Sequence, residues 1–510
     1  MSKQRSLGLV ALLAVFALLA VACGGEAVRV RASGGNIAAA EGSAAEDPAL
    51  SEGGSVSVGG EAAAAARRTT AAGGGDPKCA TNSNPEDGFT TTTMKWGTIV
   101  PLTGALRPLG EQTARVMKTA TETWLNSITK IPGPYDVEWG CSQRPGIFGR
   151  KVSLEVLSLQ ASTPEEAASH MRRLISQSKV FLVRDCYLQS NLMGPATQYQ
   201  NQQGVPGVWC SHSEMPLPAL AKWNFSPGVD PNKVTGVNVG ALFRPPAELR
   251  AKGAVNRNRL AILADPTLEH TQVKAAVQIA RRFGNEVNPD CIVLKKAQEA
   301  QTSMEAEITR IRTCYGGQSP DAVIAMDVFN GAFGALEAKD QNWPATSGQV
   351  QWACNTCWVT AIAKLCGDAC TTMITDCQAL PCIPWADRNR YPAAGVLKDV
   401  WQQYLSRDPE DVLTYGPAAI TGGLGLWLGM TGPDLSRDKF RNTLENLKNW
   451  DAGIGPILTT GPNDHYGGKS VWLIRFTGTQ GSPVPWFEDV TGRFVPLNEV
   501  EVFEEDTRTQ

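Results

Sequence analysis

Cysteine offers the most chemistry in this chain: 13 of its 510 residues. Cys23 stands apart from the others. It closes an N-terminal segment in which Lys3 and Arg5 precede the uncharged apolar run Leu7 to Ala22, 16 residues long. A membrane span needs about 20 residues, whereas this length suits the core of a signal peptide. Leu19-Ala-Val-Ala-Cys23 reads as a bacterial lipobox, with Ala20 three positions before the cysteine. Cys23 is therefore expected to be lipidated and to become the mature N-terminus, with an ordinary signal peptide as the other reading. The remaining cysteines are Cys79, Cys141, Cys186, Cys210, Cys291, Cys314, Cys354, Cys357, Cys366, Cys370, Cys377 and Cys382. Their number is even, and export makes disulfides the expected state. Connectivity stays open at this level. Cys354 to Cys382 carry C-x2-C and C-x3-C spacings that would also suit zinc. Export favours bridges there, which would replace the core that a loop-rich insertion lacks.

Other chemistries find less support. Lys and Arg number 47 against 50 Asp and Glu, a formal charge of -3, without the basic surplus of a nucleic-acid binder. The histidines His170, His212, His270 and His465 are scattered, so no His-rich metal site is visible. No G-x-S-x-G elbow, H-E-x-x-H pair or phosphate-binding P-loop occurs. Ser211 and His212 are adjacent in sequence, but catalytic triads are assembled in space, so adjacency carries little weight. The expectation is a protein without catalysis, cofactor or metal.

The elements that must position any site follow from hydrophobic periodicity. Residues 24–75 are dominated by Ala, Gly and Ser, with no aromatic residue and no cysteine. Such a segment cannot bury enough apolar surface to offset its ordering entropy. With the Thr-rich stretch after it, it reads as a tether over 24–94. Trp96 to Val100 then reads as a strand, and Val116, Met117, Ala120, Trp124, Leu125 and Ile128 fall on one helical face. Val152 to Leu157 is strand-like. Thr163-Pro-Glu-Glu166 is a capping box with proline at the first helical position, opening a helix to about Gln177. Apolar strands are expected at Val180 to Val183 and Val205 to Trp209. A second alternating block gives strands at Leu260 to Ala264, Cys291 to Leu294 and Ala322 to Met326. Its helices are expected at Glu269 to Phe283, from a second capping box at Thr302-Ser-Met-Glu305 to Arg312, and at Gly331 to Ala338. Helices at 392–405, 417–430 and 436–449 precede a strand at Val471 to Phe476. Alternation with short connections predicts parallel sheets flanked by helices, in two blocks. Ligands then bind outside the strand carboxyl ends, in a cleft between the blocks that closes by hinge bending.

These residues also resemble a known family. Gly97-Thr-Ile-Val-Pro-Leu-Thr-Gly104 with Leu109-Gly-Glu-Gln112 is similar to the opening of the branched-chain amino-acid-binding proteins, the type I periplasmic solute-binding components of ABC importers. Gly149-Arg-Lys-Val152, Pro164-Glu-Glu-Ala167, Arg259-Leu-Ala-Ile-Leu263, Ser319-Pro-Asp-Ala-Val323 and Asp464-His465-Tyr-Gly467 continue the likeness over about 95–478. The resemblance implies an α/β fold of two lobes, each a parallel sheet flanked by helices, with the ligand cleft between them. The N-terminal lobe would comprise 95–232 and 385–455. The C-terminal lobe would comprise 238–384 and 456–510, with the Cys-rich insertion at 354–382. It further implies a small polar solute such as an amino acid or amide, an ABC permease as partner, and an extracytoplasmic location at the membrane through the lipid anchor. A sensor on the same fold and an extracytoplasmic enzyme are the alternative readings.

In that family, loops after two first-lobe strands grip the ligand carboxylate. The matching loops here carry Gln189, Ser190, Ser211, His212 and Ser213, whose hydroxyl, amide and ring groups can donate hydrogen bonds. The matching second-lobe positions carry Glu269, Asp327 and Phe329. The family places a carboxylate near Cys354-Asn355, and none stands there. An ammonium group needs an acid, because a buried unpaired charge is costly, so Asp327 or Glu269 would supply it. Cys186 and Cys210 follow neighbouring strands and would staple the pocket floor. Cys79 with Cys141 and Cys291 with Cys314 are plausible local pairs.

Overall fold

Parallel ladders need crossovers, and the alternating apolar runs and capped helices of this chain supply them. The computed structural model describes residues 79–103, 107–130, 139, 141, 144–160, 163–186, 192–210, 222–300, 302–343, 350–357, 365–377, 403, 412–450, 457–477, 487–489 and 495–496, all within one unit spanning Ala63–Gln510. The expected signal peptide with Cys23 and residues 24–78 of the expected tether lie outside these residues. So do Gln189, Ser190, Ser211, His212, Ser213 and Cys382, and the expected helix at 392–405 apart from residue 403. Residues 79–94 are folded, against the tether expectation: Cys79 is bridged to Cys141, Phe89 and Met94 are buried, and a strand begins at Thr93.

The first sheet contains β1 (Thr93–Pro101), β2 (Lys151–Leu159), β3 (Leu182–Arg184), β4 (Gly207–Val208) and β5 (Asn224–Phe225). All pair in parallel, in the order β2-β1-β3-β4-β5. Helix α1 (Arg107–Lys118) runs on through a π-helical turn at Thr119–Trp124 and a tighter turn at Leu125–Ser127. Val116, Met117, Ala120, Trp124 and Leu125 are buried, as their spacing predicts. Gly110 lets α1 sit directly on the end of β1, since a Cβ there would stand 1.7 Å from the Pro101 carbonyl oxygen. Helix α2 (Pro164–Arg172) begins as expected, with Thr163 Oγ1 accepting from the Glu166 N–H at 3.2 Å and proline in its first turn. Glu166 Oε1 accepts from the Gln160 N–H at 2.7 Å, which ties the helix to the end of β2. Helix α3 (Gly194–Gln202) leads into β4.

Helix α4 (Pro231–Phe243) opens the second block. Its sheet contains β6 (Leu260–Ala264), β7 (Ile292–Leu294), β8 (Ala322–Ala325), β9 (Gln351–Cys354) and β10 (Ile374–Cys377), all parallel. The order β7-β6-β8-β9-β10 repeats that of the first sheet. Helices α5 (Lys274–Arg282), α6 (Glu305–Thr313) and α7 (Val328–Asp340) cross between its strands. The capping box expected at Thr302 does not form. Thr302 Oγ1 donates instead to the Glu299 carbonyl at 2.7 Å, and Met304 takes the cap position without a side-chain bond. Ser303 Oγ accepts from the Glu305 N–H at 3.3 Å, so the hydroxyl that serves this helix comes one residue later than the spacing predicts.

Helices α8 (Val412–Thr431) and α9 (Arg437–Glu445) pack on the first sheet: Arg437 donates to the Val180 carbonyl at 2.7 Å and meets Asp87 at 2.8 Å. β11 (Ser470–Phe476) then joins the second sheet antiparallel to β10, and β12 (Phe487–Asp489) and β13 (Val495–Pro496) pair with it. Two crossover segments run side by side between the sheets. Ser226 N–H donates to the His465 carbonyl at 3.0 Å, Gly467 N–H to the Ser226 carbonyl at 2.7 Å, and Gly468 N–H to the Gly228 carbonyl at 3.0 Å. The His465 ring stacks on Phe225 with centroids 4.1 Å apart. Among the described residues no helix is long and apolar enough to cross a membrane.

Candidate functional site

In open parallel sheets the chain leaves the carboxyl ends of the strands as loops, and ligands bind there. The first sheet ends in Asp185-Cys186 after β3 and Trp209-Cys210 after β4. The second ends in Asp265 after β6, Asp327 after β8 and Asn355-Thr356 after β9. β3 and β4 occupy the same places in their sheet as β8 and β9 do in theirs.

The first wall is braced from below. The Cys186–Cys210 bridge joins the ends of β3 and β4. Arg184 and Asp185 are both fully buried and paired through Nε and Oδ2. Arg184 Nη1 donates to Thr421 Oγ1 of α8 at 2.5 Å and lies 3.4 Å from Thr121 Oγ1. Its guanidinium stands 5.8 Å from the centroid of the Trp96 ring. Burial pushes the Asp185 carboxyl up to about 6, against the downward pull of Arg184.

Backbone strain is present at the same strand ends. Asp185, Trp209 and Thr356 all have left-handed φ values, 49°, 56° and 60°. Asp tolerates that region, but a β-branched or bulky residue there is an outlier held by its surroundings.

The second wall holds the expected acids in different ways. Asp327 is half-buried and caps α7. Its Oδ1 accepts from the Phe329 N–H at 3.1 Å and the Asn330 N–H at 2.9 Å. Its Oδ2 accepts from Asn330 Nδ2 at 2.7 Å and the Asp265 N–H at 3.2 Å. Four donors fill the four acceptor positions of a carboxylate. Burial pushes the group up to about 6, the Asn330 bonds pull it down, and nearby Asp265 pushes it up. Asp327→Ala is expected to lower stability by about 1–2 kcal/mol through loss of this cap. Urea unfolding measures it, and an unchanged midpoint would show that α7 starts without the carboxylate. Glu269 is exposed at the start of a π-helical turn, and Phe329 is half-buried in the first turn of α7.

The structure adds a buried polar network that sequence reasoning missed. Asn355 Nδ2 donates to Thr235 Oγ1 at 2.7 Å and to Gln272 Oε1 at 2.8 Å. Asn238 Nδ2 of α4 donates to Asn355 Oδ1 at 2.8 Å and to Asp376 Oδ1 at 3.1 Å. Asp376 Oδ1 also accepts from the Thr356 N–H at 2.9 Å. A carboxylate does stand beside Asn355-Thr356, that of Asp376 on β10, but it is fully buried and bonded within this network. The sequence signal is Thr235 and Asn238 within the otherwise apolar stretch Val234 to Phe243.

Five bridges are present among the described residues: Cys79–Cys141, Cys186–Cys210, Cys291–Cys314, Cys354–Cys357 and Cys366–Cys370. Cys377 is oxidised as well. The C-x2-C and C-x3-C pairs that would have suited zinc are therefore disulfides.

No protein-family model and no curated protein sequence matches this chain. Solved structures do. A possible leucine/isoleucine/valine-binding protein from Rhodopirellula baltica SH 1 superposes with a TM-score of 0.60 at 16% identity, covering 82% of this chain and 100% of its own. A branched-chain amino acid ABC transporter protein from Thermus thermophilus with bound valine gives 0.56 at 14% identity, covering 82% and 97%. A solute-binding protein from R. palustris in complex with benzoate gives 0.56 at 13% identity, covering 79% and 98%.

Proposed function

We propose that this chain, which has the two-lobed fold of type I periplasmic binding proteins, is an extracytoplasmic solute-binding protein serving an ABC importer. The observation that carries the reading is the repeated strand order, β2-β1-β3-β4-β5 and β7-β6-β8-β9-β10, joined by paired crossovers. That architecture makes a cleft that opens and closes about its crossovers. The first lobe is assigned to 95–232 and 385–455, the second to 238–384 and 456–510. In support, α8 reaches Arg184 through Thr421, and β11 completes the second sheet beside β10.

Gln189, Ser190, Ser211, His212 and Ser213 are proposed to hold the polar end of the solute at the first wall. Phe329 would pack against its body from the second. Asp327 contributes to that wall by fixing the start of α7, and Glu269 lies at its exposed edge. The apolar run before Cys23 and the abundance of disulfides support export, with Cys23 as the lipid anchor. A covalently attached lipid pair would keep the protein beside its permease.

The test is thermal unfolding of the full chain, produced in an oxidising compartment, against amino acids, amides, organic acids and sugars. Valine, benzoate and 4-hydroxybenzoate are included because structural neighbours bind them. A solute present at about 100 times its Kd is expected to add roughly 2.7 kcal/mol. A folded, oxidised protein that shifts with no member of a broad panel would remove the support for nutrient capture.

A further inference from the structure

Among the five bridges, Cys354–Cys357 has the shortest separation, 3 residues, against 62 for Cys79–Cys141. The constraint that a bridge places on the unfolded chain grows with the loop it closes. By that measure Cys354–Cys357 does least for the fold, yet its surroundings are among the most constrained in the molecule. Both sulfurs are buried. Gly331 of α7 packs directly on them, where a Cβ would stand 2.5 Å from Cys354 Sγ and 2.9 Å from Cys357 Sγ.

The two residues inside the bridge are Asn355 and Thr356. Thr356 holds φ 60°, a shape that a β-branched residue keeps only when its surroundings impose it. Its N–H is fixed on Asp376, and the Cys357 N–H donates to Thr375 Oγ1 at 3.1 Å. Asn355 joins the loop to Thr235 and Asn238 of α4. Helix α4 in turn is capped by Asp230, immediately after the crossover that pairs Gly228 with Gly468. The first sheet shows the same arrangement: left-handed Asp185 and Trp209 each stand directly before a cysteine of the Cys186–Cys210 bridge.

We propose that Cys354–Cys357 is a positioning device for solute capture. It holds Asn355 and the left-handed Thr356 in place at the carboxyl end of β9 and, through Asn355 and Asn238, links that wall to the helix leaving the crossover. The proposal rests on the cleft reading above.

The experiment compares three full-length variants with the parent chain under oxidising conditions. Cys354→Ala with Cys357→Ala removes the bridge. Gly331→Ala keeps it but pushes on both sulfurs. Cys291→Ala with Cys314→Ala is the control, because Cys291 lies at the amino end of β7, away from the cleft. Hydrogen exchange at the Thr356 and Cys357 amides is the readout that needs no ligand. It is expected to rise about tenfold or more in both cleft variants and to stay unchanged in the control. L-Valine, benzoate and 4-hydroxybenzoate are the binding probes. Any that binds the parent is expected to lose about tenfold or more in affinity in the cleft variants, with the control within about twofold. Unchanged exchange in the cleft variants, or a Cys354→Ala/Cys357→Ala chain that does not fold, would overturn the proposal. Should no probe bind the parent, the capture reading loses support on its own account, and the exchange result still decides whether the bridge holds the turn.

Discussion

Replacing Arg184 with methionine is expected to cost about 3–5 kcal/mol of folding stability, because it strands a carboxylate in the core. Methionine fills much of the same space, so packing beside Trp96 changes little. What changes is Asp185. Its Oδ2 loses the guanidinium, and its Oδ1 already has no hydrogen-bond partner among the described residues. Burial has lifted this carboxyl to about 6 from its ordinary 3.8 even with Arg184 beside it. A folded value above the unfolded one means that the native state binds the proton more tightly. The group's contribution is therefore fully present below the unfolded value and is lost as pH rises through about 6. Without Arg184 the carboxyl moves higher still. The variant should then lose less at about pH 5, where it takes up a proton, than at about pH 8. Urea unfolding at both pH values checks this, and equal losses at the two would show that Asp185 is not the stranded group. Adding Asp185→Asn should recover most of the loss, since Asn tolerates the 49° φ of that position and carries no charge. A double-mutant cycle over the four chains gives the coupling directly.

Much of the framework is legible in the residues. The uninterrupted apolar run Leu260 to Ala264 coincides with β6, because a strand covered on both faces needs no alternation. The Thr163 cap forms because hydroxyl, proline and backbone are all local to one turn, while the Glu166 carboxylate goes to the Gln160 N–H. The Thr302 box fails for an equally local reason: the chain before it folds as a turn that claims the hydroxyl through Glu299. Strand order, by contrast, is not legible: alternation predicts parallel pairing but not which strand lies beside which.

The site is less legible. An acid between a strand and a helix satisfies two demands, an N-cap and a ligand counter-charge, and sequence does not separate them. At Asp327 the structure shows the cap with all its acceptor positions used. The network of Asn238, Gln272, Asn355 and Asp376 draws one residue from each of several elements, so no spacing announces it. Left-handed φ at Trp209 and Thr356 is set by bridges and neighbours, against the preference of the residues themselves.

The second large effect lies at the base of the first lobe. Removing Cys79–Cys141 by alanine at both positions is expected to cost about 4 kcal/mol, the chain-entropy value for a loop of this length. The separation is 62 residues, so the unfolded chain gains far more freedom than it would from a short bridge. The native state also has something to lose. The segment after Cys79 lies over Arg150, which is buried in the base of the lobe. Arg150 Nη2 donates to Asn82 Oδ1 at 2.7 Å and to the Asn82 carbonyl at 3.2 Å, and its Nε donates to the Thr90 carbonyl at 2.8 Å. Burial already pulls this guanidinium down to about 10, with Asp434 pulling the other way. Asn82 also clasps Leu435, accepting from its N–H at 3.1 Å and donating to its carbonyl at 2.6 Å. If the segment frays once the bridge is gone, Arg150 loses these acceptors together with part of its cover, and the loss exceeds the entropic figure. If the segment stays docked, the loss equals that figure and Asn82→Ala in the bridged chain remains a separate, smaller defect. Urea unfolding of the two variants and their combination decides between these. A sum of single losses larger than the combined loss means that bridge and clasp hold the same segment, and simple addition means that they act independently. A loss below about 1 kcal/mol for the bridge alone would show that the unfolded chain is already constrained there by residual structure.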